Sequence, residues 1–231
     1  HYFTMNGGEG GVWKTASTWP VPGVRVQRWF VSRGTALERR GPERQVEGTF
    51  VVHTAVDCPD GGVGPFMQPC HSAGEGLSVR SAALGADLTI TGNPIVNLPV
   101  RVDGAEANLF AYLEDVAPDD RITVITEGRL KASLRAEATP PFTVPGTPWH
   151  RAYAQDANPL KPGELATLHF DLLPTSYIVR AGHHLQLTLM GADYRERARD
   201  PAVEGTRIIL SSAPDNPAWL DLPLEPGAPL G

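Results

Sequence analysis

Cysteine is scarce in this chain of 231 residues, where only Cys58 and Cys70 occur. A scaffold stapled by several disulfides is thereby excluded. The pair lies in HTAVDCPDGGVGPFMQPCHS and admits three readings: two free thiols, one bridge closing a Gly/Pro-rich loop, or a metal site completed by His53 and His71. A bridge over so short a loop would contribute roughly 3 kcal/mol through the unfolded state. Zinc favours tighter pairs such as C-x2-C, which the sequence lacks. Long apolar runs are also missing, and no stretch approaches the roughly 18 residues of a membrane span. The opening HYFTMNGGEG has no basic segment followed by an apolar one, so it does not read as a signal peptide. A soluble chain is expected, with cytoplasm and secretion both open as compartments. Positive charge is in deficit. A net charge of −6 and a pI near 5.6 argue against the clustered Lys/Arg footprint of a nucleic-acid binder.

The marks of common catalytic sites are absent too. A serine hydrolase needs a nucleophile on a sharp turn, commonly G-x-S-x-G, with a histidine and an acid in reach. Ser32 in VSRG and Ser72 in HSAG lack the flanking glycine pair and the strand-turn-helix setting. There is no phosphate loop, dinucleotide fingerprint, HExxH or EF-hand loop. Acids cluster in LEDVAPDDR, where Glu114, Asp115, Asp119 and Asp120 surround a hairpin turn. Turn acids beside a solvated strand end account for them, against a glycosidase pair or a calcium site, which need fixed separations. His183 and His184 sit between a glycine turn and an alternating run, without a spaced second ligand, and read as a turn histidine and an edge or interface histidine. No catalytic, cofactor-binding or metal-ligating residue is assigned, and no cofactor is expected.

Glycine and proline, by contrast, are plentiful: 24 and 22 residues, about a fifth of the chain. Hydrophobic residues at 41% and charged residues at 20% are ordinary for a globular protein, so the turns must separate many short elements. Period-two alternation identifies those elements as strands. In ATLHFDL, Ala166, Leu168, Phe170 and Leu172 share one face; in HLQLTLM, Leu185, Leu187 and Leu189 do. Further strands are expected at 1–5, 25–32, 49–56, 88–91, 95–102, 108–116, 122–126, 130–135, 206–211 and 219–222. Short helical turns are expected only at 13–19, 149–153 and 194–199. Pro99 within IVNLPVRV lacks a ladder donor, so its strand should be an edge or carry a bulge. Dense strands and turns with almost no helix predict an all-β jelly-roll β-sandwich. Residues 1–222 form one domain on this reading, and PLEPGAPLG, residues 223–231, a loose tail.

Three separated segments point further. LGADLTITGNPIVNLPVRV, then ANLFAYLEDVAPDDRITVITEGRLKASLR, then PWHRAYAQDANPLKPGELATLHFDLLPTSYIVRAGHHLQLTLMGAD occur in this order. Together with the upstream GVWKTASTWPVPG they resemble the C-terminal domain of the X-prolyl dipeptidyl-peptidase, cocaine esterase and α-amino-acid ester hydrolase family, over about residues 1–222. The resemblance implies a galactose-binding-domain-like jelly roll. It also implies a partner in cis, an α/β-hydrolase domain that carries the family's serine, aspartate and histidine, and none of those segments is in this sequence. Where the family's hairpin often has glycine this chain has Asp120, and where its RAGHR-type turn often has a basic residue stands His184. The expected function is that of a non-catalytic domain which packs on the hydrolase domain, stabilises it, and helps shape the substrate cleft or a homo-oligomer interface. On that expectation the chain alone is no enzyme, whereas the larger parent is a serine hydrolase. The alternative is a carbohydrate-binding jelly roll, with Trp13, Trp19, Trp29, Trp149 and Trp219 as a sugar-stacking platform.

Overall fold

The computed structural model describes residues 1–6, 10–56, 75–193 and 200–226. The alternating runs form fifteen strands: β1 (Tyr2–Met5), β2 (Gly11–Lys14), β3 (Arg25–Arg33), β4 (Ala36–Glu38), β5 (Val46–Val51), β6 (Leu77–Arg80), β7 (Leu88–Gly92), β8 (Ile95–Val102), β9 (Asn108–Val116), β10 (Ile122–Lys131), β11 (Leu165–Asp171), β12 (Thr175–Val179), β13 (His184–Met190), β14 (Arg207–Ser212) and β15 (Trp219–Leu224). Helix is confined, among the described residues, to single 3-10 turns at Ala132–Leu134, Ala154–Asp156 and Pro201–Val203. The fold is an all-β sandwich, as the turn density requires.

Pairing runs β10-β9-β13-β6-β4 and then through β3, β15, β7, β12, β1 and β2; β8 joins at β15 and carries β11 and β14, which in turn pairs with β5. Inward residues of these strands form one core. Leu109, Ala111 and Leu113 of β9 and Leu185, Leu187 and Leu189 of β13 share it with Val96, Leu98 and Val100 of β8 and Leu220 and Leu222 of β15. Burying each such leucine contributes about 1.5–3 kcal/mol. A second, smaller cluster lies on the opposite face of β9, around Phe110, Tyr112, Val124 and Met190.

Several expectations need correction. β8 is no edge strand: Thr167 of β11 lies opposite Pro99. On its other side, β15 covers Ile95 to Asn97 and β14 covers Val100 to Val102. Pro99 thus sits where one neighbour gives way to the next, a gap in which a missing N–H costs no ladder bond. The separate strands expected at 122–126 and 130–135 are replaced by one strand, β10, which has a register shift between Val124 and Thr126 and ends at Lys131 before the 3-10 turn. Residues 13–19 begin as strand β2 rather than a helical turn, because Gly11–Lys14 zips against β1. No helix forms at 149–153, and 194–199 lie outside the described residues. The chain does not loosen at residue 223 either. Pro223 and Leu224 extend β15 opposite Val26 and Arg25, both buried.

The residue after that strand, Glu225, accepts hydrogen bonds from Lys14 Nζ (2.6 Å), Tyr2 Oη (3.1 Å) and Thr91 Oγ1 (2.8 Å). A buried hydroxyl chain continues from Thr91 through Ser176 to Thr4. One carboxylate therefore ties the β1–β2 hairpin to the sheet. Burial pushes its pKa up, but the bonds from Lys14, Thr91 and Tyr2 outweigh that and hold it below the usual carboxylate range.

Candidate functional site

Of the adjacent histidines, His183 belongs to the turn between β12 and β13 and His184 opens β13. Gly182 takes the left-handed conformation at φ 82°, and His183 N–H donates to Arg180 O at 3.1 Å, closing the turn. β13 then pairs with β9, placing Leu185 opposite Asp115. His183 Nδ1–H donates to Asp115 Oδ1 at 2.7 Å, and Tyr177 O–H donates to Asp115 Oδ2 at 2.9 Å. His184 turns elsewhere, its Nδ1 lying 2.8 Å from Ser81 O. Asp115 is 4% exposed and Tyr177 fully buried. Burial, and then the Asp115 charge, push the Tyr177 hydroxyl pKa far up, so it stays protonated and donates.

Sequence reasoning placed Asp115 at a solvated strand end, and the structure puts it in the core. The signal was present: Asp115 follows Leu109, Ala111 and Leu113 in the inward phase of β9, and a carboxylate in that phase needs donors. Glu114 points to the other face, is also buried, and accepts from Gln186 Nε2 (2.8 Å) and Thr188 Oγ1 (2.6 Å). Projecting from opposite faces of one strand, the two acids cannot work as a pair. Asp119 and Asp120 are exposed turn residues, as expected. Asp120 adopts φ 61°, where glycine would be unstrained, and its N–H still closes the turn on Ala117 O.

An aspartate–histidine pair can orient an imidazole, but acyl transfer also needs a hydroxyl on the other ring nitrogen. Among the described residues, no serine or threonine hydroxyl is hydrogen-bonded to His183, and the third member of the group is Tyr177. The pair borders a small cleft of about 180 Å3 with Asn6, Arg121, Thr123 and Arg180. Ser32 is 4% exposed and donates to Glu38, with no histidine beside it; Ser72 lies outside the described residues. So do Cys58, Cys70 and His71. His53 lies 3.5 Å from Glu204, and no group able to hold a metal occurs among the described residues.

The tryptophans do not share a platform. Trp29 is buried, Trp149 packs edge-on to Phe142, and Trp219 carries the Arg28 guanidinium 3.7 Å above its ring. Trp13 and Trp19 lie on or just beyond the N-terminal hairpin, packed against Phe3 and Tyr2. On that hairpin Trp13 is 71% exposed and its cross-strand partner Phe3 is also open to solvent; Val12 on the opposite face of β2, Trp19 and Val26 are exposed as well. A larger cleft of about 450 Å3 lies where β10 passes the Asp171–Pro174 bend. Asp171 borders it, its carboxyl pKa raised by burial.

The pattern of the family described as the X-Pro dipeptidyl-peptidase C-terminal non-catalytic domain matches residues 1–212. The chain belongs to this family. A candidate serine esterase of Mycobacterium bovis is 34% identical over 240 residues, covering 97% of this chain and 37% of that protein. The chain thus spans little more than a third of the length of this relative. A candidate Xaa-Pro dipeptidyl-peptidase of Bacillus anthracis is 25% identical over 127 residues, covering 55% of this chain and 18% of that protein. The fold of this X-Pro dipeptidyl-peptidase C-terminal domain recurs in a CocE/NonD family hydrolase from Staphylococcus aureus. The TM-score there is 0.77 at 14% identity, over 97% of this chain and 41% of that one. An α-amino-acid ester hydrolase shares it with a TM-score of 0.66 at 14% identity, over 86% of this chain and 36% of that one.

Proposed function

We propose that this domain works as the accessory part of a serine hydrolase of the X-Pro dipeptidyl-peptidase or acyl-ester-cleaving type. It packs on an α/β-hydrolase domain in cis, stabilises that domain, and helps wall its substrate cleft or an oligomer contact. The observation that carries the reading is the patch at the N-terminal hairpin. Phe3 and Trp13, paired across β1 and β2 with their rings 5.3 Å apart, stay exposed, although Glu225 ties the hairpin to the sheet through Tyr2 and Lys14. Ordered, clustered apolar surface of this kind marks an interface, and obligate interfaces are apolar at their centres. The match to only 37% of the mycobacterial relative leaves room for the partner domain. In the parent, the reaction would be serine attack, acyl-enzyme formation and hydrolysis.

The test compares this chain with the native gene product, by intact mass, by a chromogenic acyl-ester assay and by amide hydrogen exchange. The expected result is a larger, active native product, an inert isolated chain, and slower exchange of residues 11–14 in the larger product. Hydrolysis by the pure chain that a serine reagent abolishes, or a native product of only 24.8 kDa, would overturn the reading.

A further inference from the structure

Between the β3–β4 hairpin and the segment from Arg80 to Leu88 lies an open cleft of about 460 Å3. Its walls are mostly apolar: Trp29, Leu37, Leu84 and Leu88, with Ala82 and Ala83 at the rim. Trp29 is 8% exposed. Its Nε1–H is the one buried side-chain polar atom without a hydrogen-bond partner among the described residues. Elsewhere the core meets such needs, as the donors on Asp115 and Glu114 show. A buried donor with no acceptor is costly and calls for an explanation.

The charged groups around the cleft do not supply the acceptor. Glu38 is held by Arg33 and Ser32, and Arg80 Nε donates to Gln186 at 2.8 Å. Arg39, whose guanidinium lies 5.7 Å from the Trp29 ring centroid, is itself only a donor. Its partner is that ring, and it has no carboxylate among the described residues. Two donors, one neutral and one cationic, therefore border a cleft of small-molecule size, and neither is bonded to the acceptors in its lining, Glu38 and Gln27.

We propose that this cleft binds a small monocarboxylate with an apolar tail. One carboxylate oxygen accepts from Trp29 Nε1–H, the anion pairs with Arg39, and the tail lies over Leu37, Leu84 and Leu88. Nε1 is shielded from solvent, so side chains of the cleft, the partly buried Arg39 among them, shift to admit the anion. The proposal stands apart from the accessory role, since it concerns only groups of this chain.

The experiment titrates the 15N-labelled chain with hexanoate and follows the tryptophan indole N–H resonances, that of Trp29 being assigned from Trp29→Phe. Expected is a saturating downfield shift of the Trp29 indole proton while the other indoles stay still, and no such shift with hexanol. Arg39→Gln should weaken binding about tenfold or more, the usual consequence of losing a charged hydrogen bond. Trp29→Phe should abolish binding yet melt no lower than the parent, because the unpaired donor leaves with the indole. If that variant fails to fold, Arg39→Gln alone decides. A Trp29 indole unmoved at tens of millimolar hexanoate, an equal response to hexanol, or unchanged affinity in Arg39→Gln would overturn the proposal.

Discussion

Tyr177→Phe offers the sharpest test of how the β12–β13 corner is held. The change removes a single hydroxyl from a fully buried ring, leaving shape and apolar contact nearly intact. Asp115 then keeps only the His183 bond at 2.7 Å. Hydrogen bonds to charged groups contribute about 1.5–3 kcal/mol, so a loss near 2 kcal/mol is expected. For a domain of this size each kcal/mol shifts Tm by about 2–4 °C, giving a fall of roughly 4–8 °C by calorimetry. His183→Ala removes the other donor and should cost a similar amount. The double variant should depart from the sum, because the two donors serve one buried carboxylate. A coupling of about 0.5 kcal/mol or more is expected from residues sharing one partner. A Tyr177→Phe variant within about 0.5 kcal/mol of the parent, or strict additivity with His183→Ala, would refute the reasoning.

Three further outcomes follow from the same geometry. Glu225 has a folded pKa below its unfolded value near 4.5, so its contribution is present above that pH and is lost as pH falls through the folded value. Glu225→Gln should lower Tm at pH 7 and flatten the acid limb of a Tm-versus-pH curve. Asp171 has the opposite sign: burial raises its pKa above 3.8, so the folded state binds the extra proton and stability falls as pH rises. Asp171→Asn should raise Tm at pH 7, an advantage that disappears below about pH 3.8. Asp120→Gly relieves a left-handed backbone at φ 61° and should stabilise the hairpin by about 0.5–1 kcal/mol in urea melts, against a minor loss from its exposed Arg80 contact.

The fold was largely legible because strand alternation is a local signal. β8, β9 and β13 begin and end where their apolar patterns do. Strands whose pairing is decided from afar were not legible. β6 has four residues and is held by β13, more than a hundred positions away, and β4, in its hairpin with β3, has only three residues and so shows no alternation. β12 was not among the expected strands. It is a strand because Thr175–Val179 finds β7 as partner, and Leu173 before it is 60% exposed. β15 outran the expected tail for the same kind of reason: the pull of Tyr2, Lys14 and Thr91 on Glu225 comes from residues more than a hundred positions away.

The candidate sites divide along the same line. That His183 is a turn residue could be read from RAGHH alone, since Gly182 must open the turn. Its bond to Asp115 could not, since those residues lie 68 positions apart. Yet Asp115 and Asp120 show that a residue out of keeping with its local pattern carries long-range information. A carboxylate in the inward phase of β9 demanded two donors and has them. An aspartate at a left-handed turn position kept the hydrogen bond that glycine would have made. Trp29 is the exception in this respect: its place in the inward phase of β3 was readable, but its N–H has found no acceptor within the described chain. Among the described residues the fold meets that need at every other buried side-chain polar atom, so the one unmet donor is the feature that the proposed carboxylate accounts for.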